Sequence, residues 1–209
     1  MSYLYGLTFE ELRKYKNIPK LKELIDVLGN AVEYNWLLSG HDFAYPAPKQ
    51  IPDDEDFTWL DGEVLVEALK INPHFIWCVA TAYKKNISKE NVLQHPLPFA
   101  DGYRGFWTPE ITMQNPLSEV EIIIWHGHQV LIFSKSKEII DRFAKEYPNS
   151  KDLVEDNKNG QNEAIRKALE TDNIKWLKSL SDFVDEYKIE KYIEPELYKE
   201  MQERIKIEQ

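Results

Sequence analysis

EVEIIIWHGHQVLIFSKS, residues 119–136, is the stretch whose reading decides the fold. Two apolar runs flank His126 and Gly127, and glycine after a residue that tolerates a left-handed backbone is the pattern of a two-residue hairpin turn. Such a turn pairs Trp125 with His128, Ile124 with Gln129, Ile123 with Val130 and Ile122 with Leu131. Side chains alternate across a strand, so this register leaves both faces largely apolar: Ile122, Ile124, Leu131 and Phe133 on one, Ile123, Trp125, Val130 and Ile132 on the other. A strand pair that is apolar on both faces belongs in the middle of a covered sheet. His126 and His128 also form a His-x-His pair, which on a straight strand would aim two imidazoles the same way, as two ligands of a zinc or copper site. At a reversal they diverge, and further ligands would have to come from His41, Asp42, His95 or Glu110, which no spacing links to the pair. The expectation is a turn, with no metal and no cofactor.

Outward from the hairpin, Ser136 caps KEIIDRFAKEY, whose Ile139, Ile140 and Phe143 turn inward before Pro148. Upstream, HFIWCVATAY reads as a strand with Phe75, Trp77, Val79, Thr81 and Tyr83 on one side and Ile76, Cys78, Ala80 and Ala82 on the other. VEYNWLL reads as another, SGHD after it as a turn, and YPAPKQIPDDED as a loop. Asp61 caps a helix over GEVLVEALK, Ser88 caps a helical turn, and PKLKELIDVLG is a helix stopped by Gly29. Thr8 stands three residues before Glu11, a capping-box spacing that predicts a short helix carrying Phe9, Leu12 and Tyr15. The irregular HPLPFADGYRGFWTPEITMQNPL, residues 95–117, is too long for a passive loop, so it is either functional or packed by its own aromatics. Residues 156–162 are polar and breaker-rich, and beyond them Glu163–Thr171, Ile174–Tyr187 and Pro195–Ile207 read as helices. The fold class is therefore α+β. A mainly antiparallel sheet of about four or five strands flanked by helices occupies residues 1–155. A linker spans 156–162, and a helical C-terminal extension over 163–209 packs on the main domain.

The 209 residues are 43% apolar and 30% charged, an ordinary globular balance. No apolar run approaches the roughly 20 residues of a membrane span, and MSYLYGLTFEELRKYKNIPK has no apolar core of a secretory leader. A lone Cys78 permits no internal disulfide. These features predict a cytoplasmic protein without a membrane partner. The net charge of −10 is uneven: nine acids against two lysines between Ala31 and Ala80 leave a local −7. That surface repels phosphate backbones and suits a basic protein instead of nucleic acid.

No Gly-rich phosphate loop, Gly-x-Ser-x-Gly or His-Glu-x-x-His occurs in the chain, and no residue is assigned as catalytic. Cys78, mid-strand among alanines, reads as a structural thiol. The binding candidates are the acids Asp42, Asp53, Asp54, Glu55 and Asp56 with Tyr103, Arg104, Phe106 and Trp107, side-chain types that make interface hot spots. The segments EYNWLLS, WLDGEVLVEAL and WHGHQVLIFSKSKEIIDRFAKEYP, within residues 30–155, resemble small acidic bacterial proteins, some of them immunity proteins of polymorphic toxin systems. That resemblance implies a bacterial intracellular protein that binds another protein, and it carries no functional residue across. The leading expectation is a non-catalytic acidic binding module, toxin-neutralising or regulatory. Against it stand a hydrolase or transferase using His41, His95, His126 or His128 under the 95–117 loop, and a self-associating structural subunit.

Overall fold

Both halves of the central hairpin form as strands, β5 (Val120–Trp125) and β6 (Gln129–Ser134). The computed structural model describes residues 4–10, 19–45, 48–52 and 55–207. His126 and Gly127 take left-handed φ values of 52° and 63°, and His128 N donates to Trp125 O at 3.2 Å, which closes the expected turn. The ladder resumes one residue later than expected: Trp125 pairs with Gln129, Ile124 with Val130, Ile123 with Leu131 and Ile122 with Ile132. His128 is an extra residue in the connection, and the slip moves every β6 side chain to the opposite face from the one expected.

The sheet is open and antiparallel with seven strands, more than the four or five expected. The others are β1 (Tyr5–Glu10), β2 (Tyr34–Tyr45), β3 (Phe57–Asp61), β4 (His74–Lys84) and the two-residue β7 (Lys151–Asp152), in the order β3-β2-β4-β5-β6-β1-β7. β1 replaces the helix expected from Thr8. Its Tyr5, Leu7 and Phe9 recur at the strand period and join the core, and its ladder with β6 takes Leu7 to Ile132. The rest of that expected helix, with Leu12 and Tyr15, lies outside the described residues. SGHD is not a reversal either. Gly40 at φ 51° lets β2 absorb a register shift between Ser39 and Asp42 and continue to Tyr45. Val32, expected on the strand, lies in a 3-10 turn over Ala31–Glu33 and is exposed.

The chain divides into two units, residues 1–103 with 112–151, and residues 104–111 with 152–209. In the first, α1 (Leu21–Leu28), α2 (Gly62–Ala68) and α4 (Lys137–Glu146) cover one face of the sheet, and α3 (Lys89–Val92) is a single capped turn. A row of partners, Leu38, Ala80, Ile122, Ile132 and Leu7, runs across the covered face, and Leu24 and Phe143 from the helices join the same core. The opposite row is Trp59, Leu37, Thr81, Glu121, Phe133 and Gly6. There Leu37, Tyr83 and Val92 form a second cluster with Leu97 and Leu117 of the long loop. Both faces are covered, as the hairpin requires, one by helices and the other by irregular chain.

The second unit holds α5 (Leu153–Glu170), α6 (Ile174–Tyr187) and α7 (Pro195–Ile207) around a core that includes Ile165, Leu177, Val184 and Met201. Residues 156–162, expected as a linker, lie inside α5, which Asp152 caps by accepting from Glu155 N at 3.0 Å. Two of its three asparagines have inward partners. Asn157 Nδ2 donates to Phe106 O and Thr108 O at 2.8 Å each, while Asn162 donates to Tyr192 O at 3.1 Å and accepts from Glu194 N at 2.8 Å. These two helix-disfavouring side chains are tolerated because they satisfy backbone groups elsewhere in the unit. Among the described residues no helix is long and apolar enough to cross a membrane.

Two glycines should respond to alanine in opposite directions. A Cβ on Gly160 meets nothing within 4 Å, so Gly160→Ala should raise stability by about 0.5–1 kcal/mol in urea titrations. A Cβ on Gly62 would lie 2.2 Å from Ala31 O and 2.7 Å from Val32 Cα, so Gly62→Ala should cost about 2 kcal/mol or more. His126→Asn should change stability by less than about 0.5 kcal/mol, since asparagine before glycine suits the left-handed turn; a larger loss would mean that the imidazole carries a packing role.

Candidate functional site

A carboxylate sits where the β5 pleat demands an apolar side chain. Glu121 alternates with Ile123 and Trp125 on the loop-covered face, between Thr81 of β4 and Phe133 of β6, and it is 0% exposed. Its partners all come from the end of the long loop. Oε2 accepts from Gln114 N at 3.1 Å, and Oε1 accepts from Asn115 N and Ser118 Oγ, both at 3.1 Å. Burial nevertheless dominates and pushes the Glu121 carboxyl up to about 7, against the pull of those donors and of the Lys135 charge. Tyr83 lies on the same face of β4. Burial and then the Glu121 charge push its phenol far up, and neither its hydroxyl nor Thr81 Oγ1 has a well-formed hydrogen bond. The sequence did contain a signal for Glu121: a lone charge on the second face of a strand already read as covered on both sides.

The loop continues from this carboxyl to the surface. The Gln114 side chain accepts from Phe99 N at 3.0 Å and donates to Phe99 O at 3.0 Å, and Ser39 Oγ donates to Pro98 O at 2.6 Å. A Cβ on Gly40 would stand 3.8 Å from Phe99 Cα, and Gly40 N donates to Asp56 O at 3.4 Å. One end of the sheet thus collects the exposed Asp42, Glu55 and Asp56 with Phe99, a large apolar side chain that is 46% exposed. Tyr103 packs edge-on to Phe99 with ring centroids 5.4 Å apart. Asp61 of the same acidic stretch has local duties: the Lys85 ammonium and then the Glu63 amide hold its carboxyl below the ordinary range. Asp53 and Asp54 lie outside the described residues.

The other expected binding residues are placed in the second unit. Phe106 is 1% exposed, Trp107 packs against that unit's core, and Arg104 reaches Glu186 at 3.2 Å with its guanidinium 4.8 Å from the Phe183 ring. Phe106 is thus buried, and Trp107 is partly buried against the core of the second unit. Tyr103 belongs to the first unit, as do Asp42, Glu55 and Asp56, whereas Arg104, Phe106 and Trp107 belong to the second.

His41 Nε2 lies 2.8 Å from Pro52 O, and His126 and His128 have ring centroids 5.4 Å apart beside Trp77 and Trp125. Among the described residues, no three or more His, Cys, Asp or Glu side chains come together as a metal site. Cys78 is fully buried, and burial pushes its thiol far above the range in which a thiolate forms. Compared with protein-family models, with curated proteins and with solved structures, the chain has no significant match in any of the three.

Glu121 makes stability depend on pH. Its folded carboxyl titrates near 7 against an ordinary value of 4.5, so its stabilising contribution is complete below about 4.5 and lost as pH rises through about 7. Urea midpoints should therefore fall between pH 5 and pH 7.5. Glu121→Gln should remove that component of the slope and lower stability throughout, because an amide NH₂ replaces one acceptor oxygen facing backbone N–H donors. A midpoint that does not fall over this range would show that the carboxyl titrates normally.

Proposed function

We propose that the protein is a non-catalytic acidic binding module whose partner is a basic protein, in the manner of a toxin-neutralising or regulatory protein. The observation that carries this reading is the joint placement of the exposed Asp42, Glu55 and Asp56 with the exposed Phe99 and its neighbour Tyr103 at one end of the sheet. Acids speed encounter with a basic surface through a field that salt screens, and an exposed aromatic beside them can supply the desolvated anchor that slows dissociation. Beyond that placement, the reading rests on the acidity of the chain and on its resemblance to immunity proteins.

The test uses the partner retained by the full chain from its native cells, identified and then purified. Association should slow markedly between 50 and 300 mM salt and on reversing Asp42, Glu55 and Asp56 to lysine, with folding intact. Phe99→Ala should instead raise the dissociation rate, with a loss of about 2 kcal/mol if it is a hot spot. Trp107→Ala should lower the stability of the second unit and leave association unchanged. An acidic partner, or binding indifferent to both the charge reversal and Phe99→Ala, would overturn the proposal.

A further inference from the structure

The buried carboxyl and the exposed aromatic are joined by one residue. Gln114 gives its backbone N–H to Glu121 Oε2 at 3.1 Å and clamps the Phe99 backbone with both ends of its side chain amide at 3.0 Å. Asn115 binds Glu121 Oε1 through its own N–H and ties the loop to Val92 O through Nδ2 at 3.3 Å. The loop end is thus fastened to β5 through Glu121, and Phe99 is fastened to the loop end.

Ser118 lets the site accept a proton. Its single hydroxyl hydrogen has two acceptors in reach, Asn115 O at 2.6 Å and Glu121 Oε1 at 3.1 Å. With that hydrogen on the shorter bond, a lone pair of Ser118 Oγ is left for a neutral Glu121 to donate to. The carboxylate form uses the hydrogen in the other direction. Either state of Glu121 is satisfied without rebuilding the loop, while the charged state alone bears the cost of lying out of water.

We propose that Glu121 is a proton-sensitive clasp on the 95–117 loop: binding one proton tightens the loop end on the sheet, and losing it loosens the loop end together with Phe99. The groups that face or lie near it all follow from the fold. Thr81 and Tyr83 of β4 offer hydroxyls, Phe133 of β6 is apolar, and Lys135 beyond β6 supplies a neighbouring positive charge that acts on the carboxyl. Lys135 also donates to Pro116 O at 3.0 Å and lies 3.8 Å from Glu119, which Lys84 approaches at 3.5 Å, so its charge is shared. When the loop end lifts, water reaches the carboxyl and its affinity for the proton falls toward the ordinary value of 4.5, from about 7 when closed. The closed state therefore holds the proton more tightly, and opening grows about tenfold per pH unit between roughly 5 and 7, then levels off. The clasp is a property of the free chain; that it regulates a partner-binding surface rests on the function proposed above.

The test is nuclear magnetic resonance on the full chain without a partner. The Glu121 side-chain carboxyl carbon and the Gln114, Asn115 and Phe99 amides should titrate together with a midpoint near 7. Hydrogen exchange at Gln114 and Asn115, corrected for intrinsic rates, should give an opening constant that rises about tenfold per unit from pH 5 to 6.5. Gln114→Ala should uncouple Phe99 while Asn115 still follows the titration, and Glu121→Gln should abolish it at every position. Should Glu121→Gln fail to fold, Gln114→Ala carries the test alone. A Glu121 midpoint below about 5, a Phe99 amide blind to the titration in the unaltered chain, or a Phe99 that still follows it after Gln114→Ala would each overturn the clasp. Loss of the proposed partner would leave these readouts unchanged, so the two ideas fail separately.

Discussion

The central strands β4, β5 and β6 carry apolar side chains on both faces, and everything else in the first unit is arranged to cover them. Helices meet this demand on one side at no cost in backbone hydrogen bonds, because a helix satisfies its own interior. The other side is covered by irregular chain of the same unit, residues 93–103 and 112–118, and irregular chain brings N–H and C=O groups that must find partners away from water. Those partners are side chains of the sheet. Ser39 donates to Pro98 O, and Glu121 receives two backbone amides and a hydroxyl at once. A leucine at 121 would suit the strand and leave those donors orphaned.

The second unit solves a similar problem with different residues. Segment 104–111 presents carbonyls at Phe106, Trp107 and Thr108, and α5 answers with Asn157 and Gln161. Side chains that weaken a helix in isolation are here the ones that hold an irregular segment to it. Helix propensity counts tenths of a kcal/mol per residue, whereas a buried carbonyl without a partner costs about 1–3 kcal/mol, so the tertiary demand wins.

This competition explains which parts of the fold the sequence revealed. Helical periodicity located α1, α2, α4, α6 and α7 well, because Leu21, Leu24, Ile25 and Leu28 or Ile139, Ile140 and Phe143 repeat without ambiguity. Covered strands β4, β5 and β6 were legible from their apolar length. β1 was lost to a capping-box coincidence at Thr8 and Glu11, although Tyr5, Leu7 and Phe9 carry the strand period. β3 is five residues beside an acidic loop and has no length to declare itself. The 156–162 stretch read as a linker because the carbonyls outside the helix that Asn157 and Asn162 serve lie 30 to 51 residues away in sequence, beyond any local pattern. The candidate site was half legible. Its acids and Tyr103 followed from charge and residue type, but Phe99 emerges only once Pro98–Ala100 is seated on Ser39 and Gly40.

Glu121 is the point at which these constraints meet. A buried acceptor able to serve three donors must have two oxygens, several lone pairs and little bulk, which among strand residues means a carboxylate or an amide. An amide would offer one oxygen and set its NH₂ against a backbone N–H, so the carboxylate is the better fit to the loop. The same choice brings a charge into a low-dielectric layer, and the charge answers by shifting its titration toward neutrality. Proton sensitivity at physiological pH is then a consequence of covering a two-sided apolar sheet with a loop. Because Gln114 ties that loop end to Phe99, it extends from a fully buried group in the sheet to one of the most exposed apolar side chains on its rim.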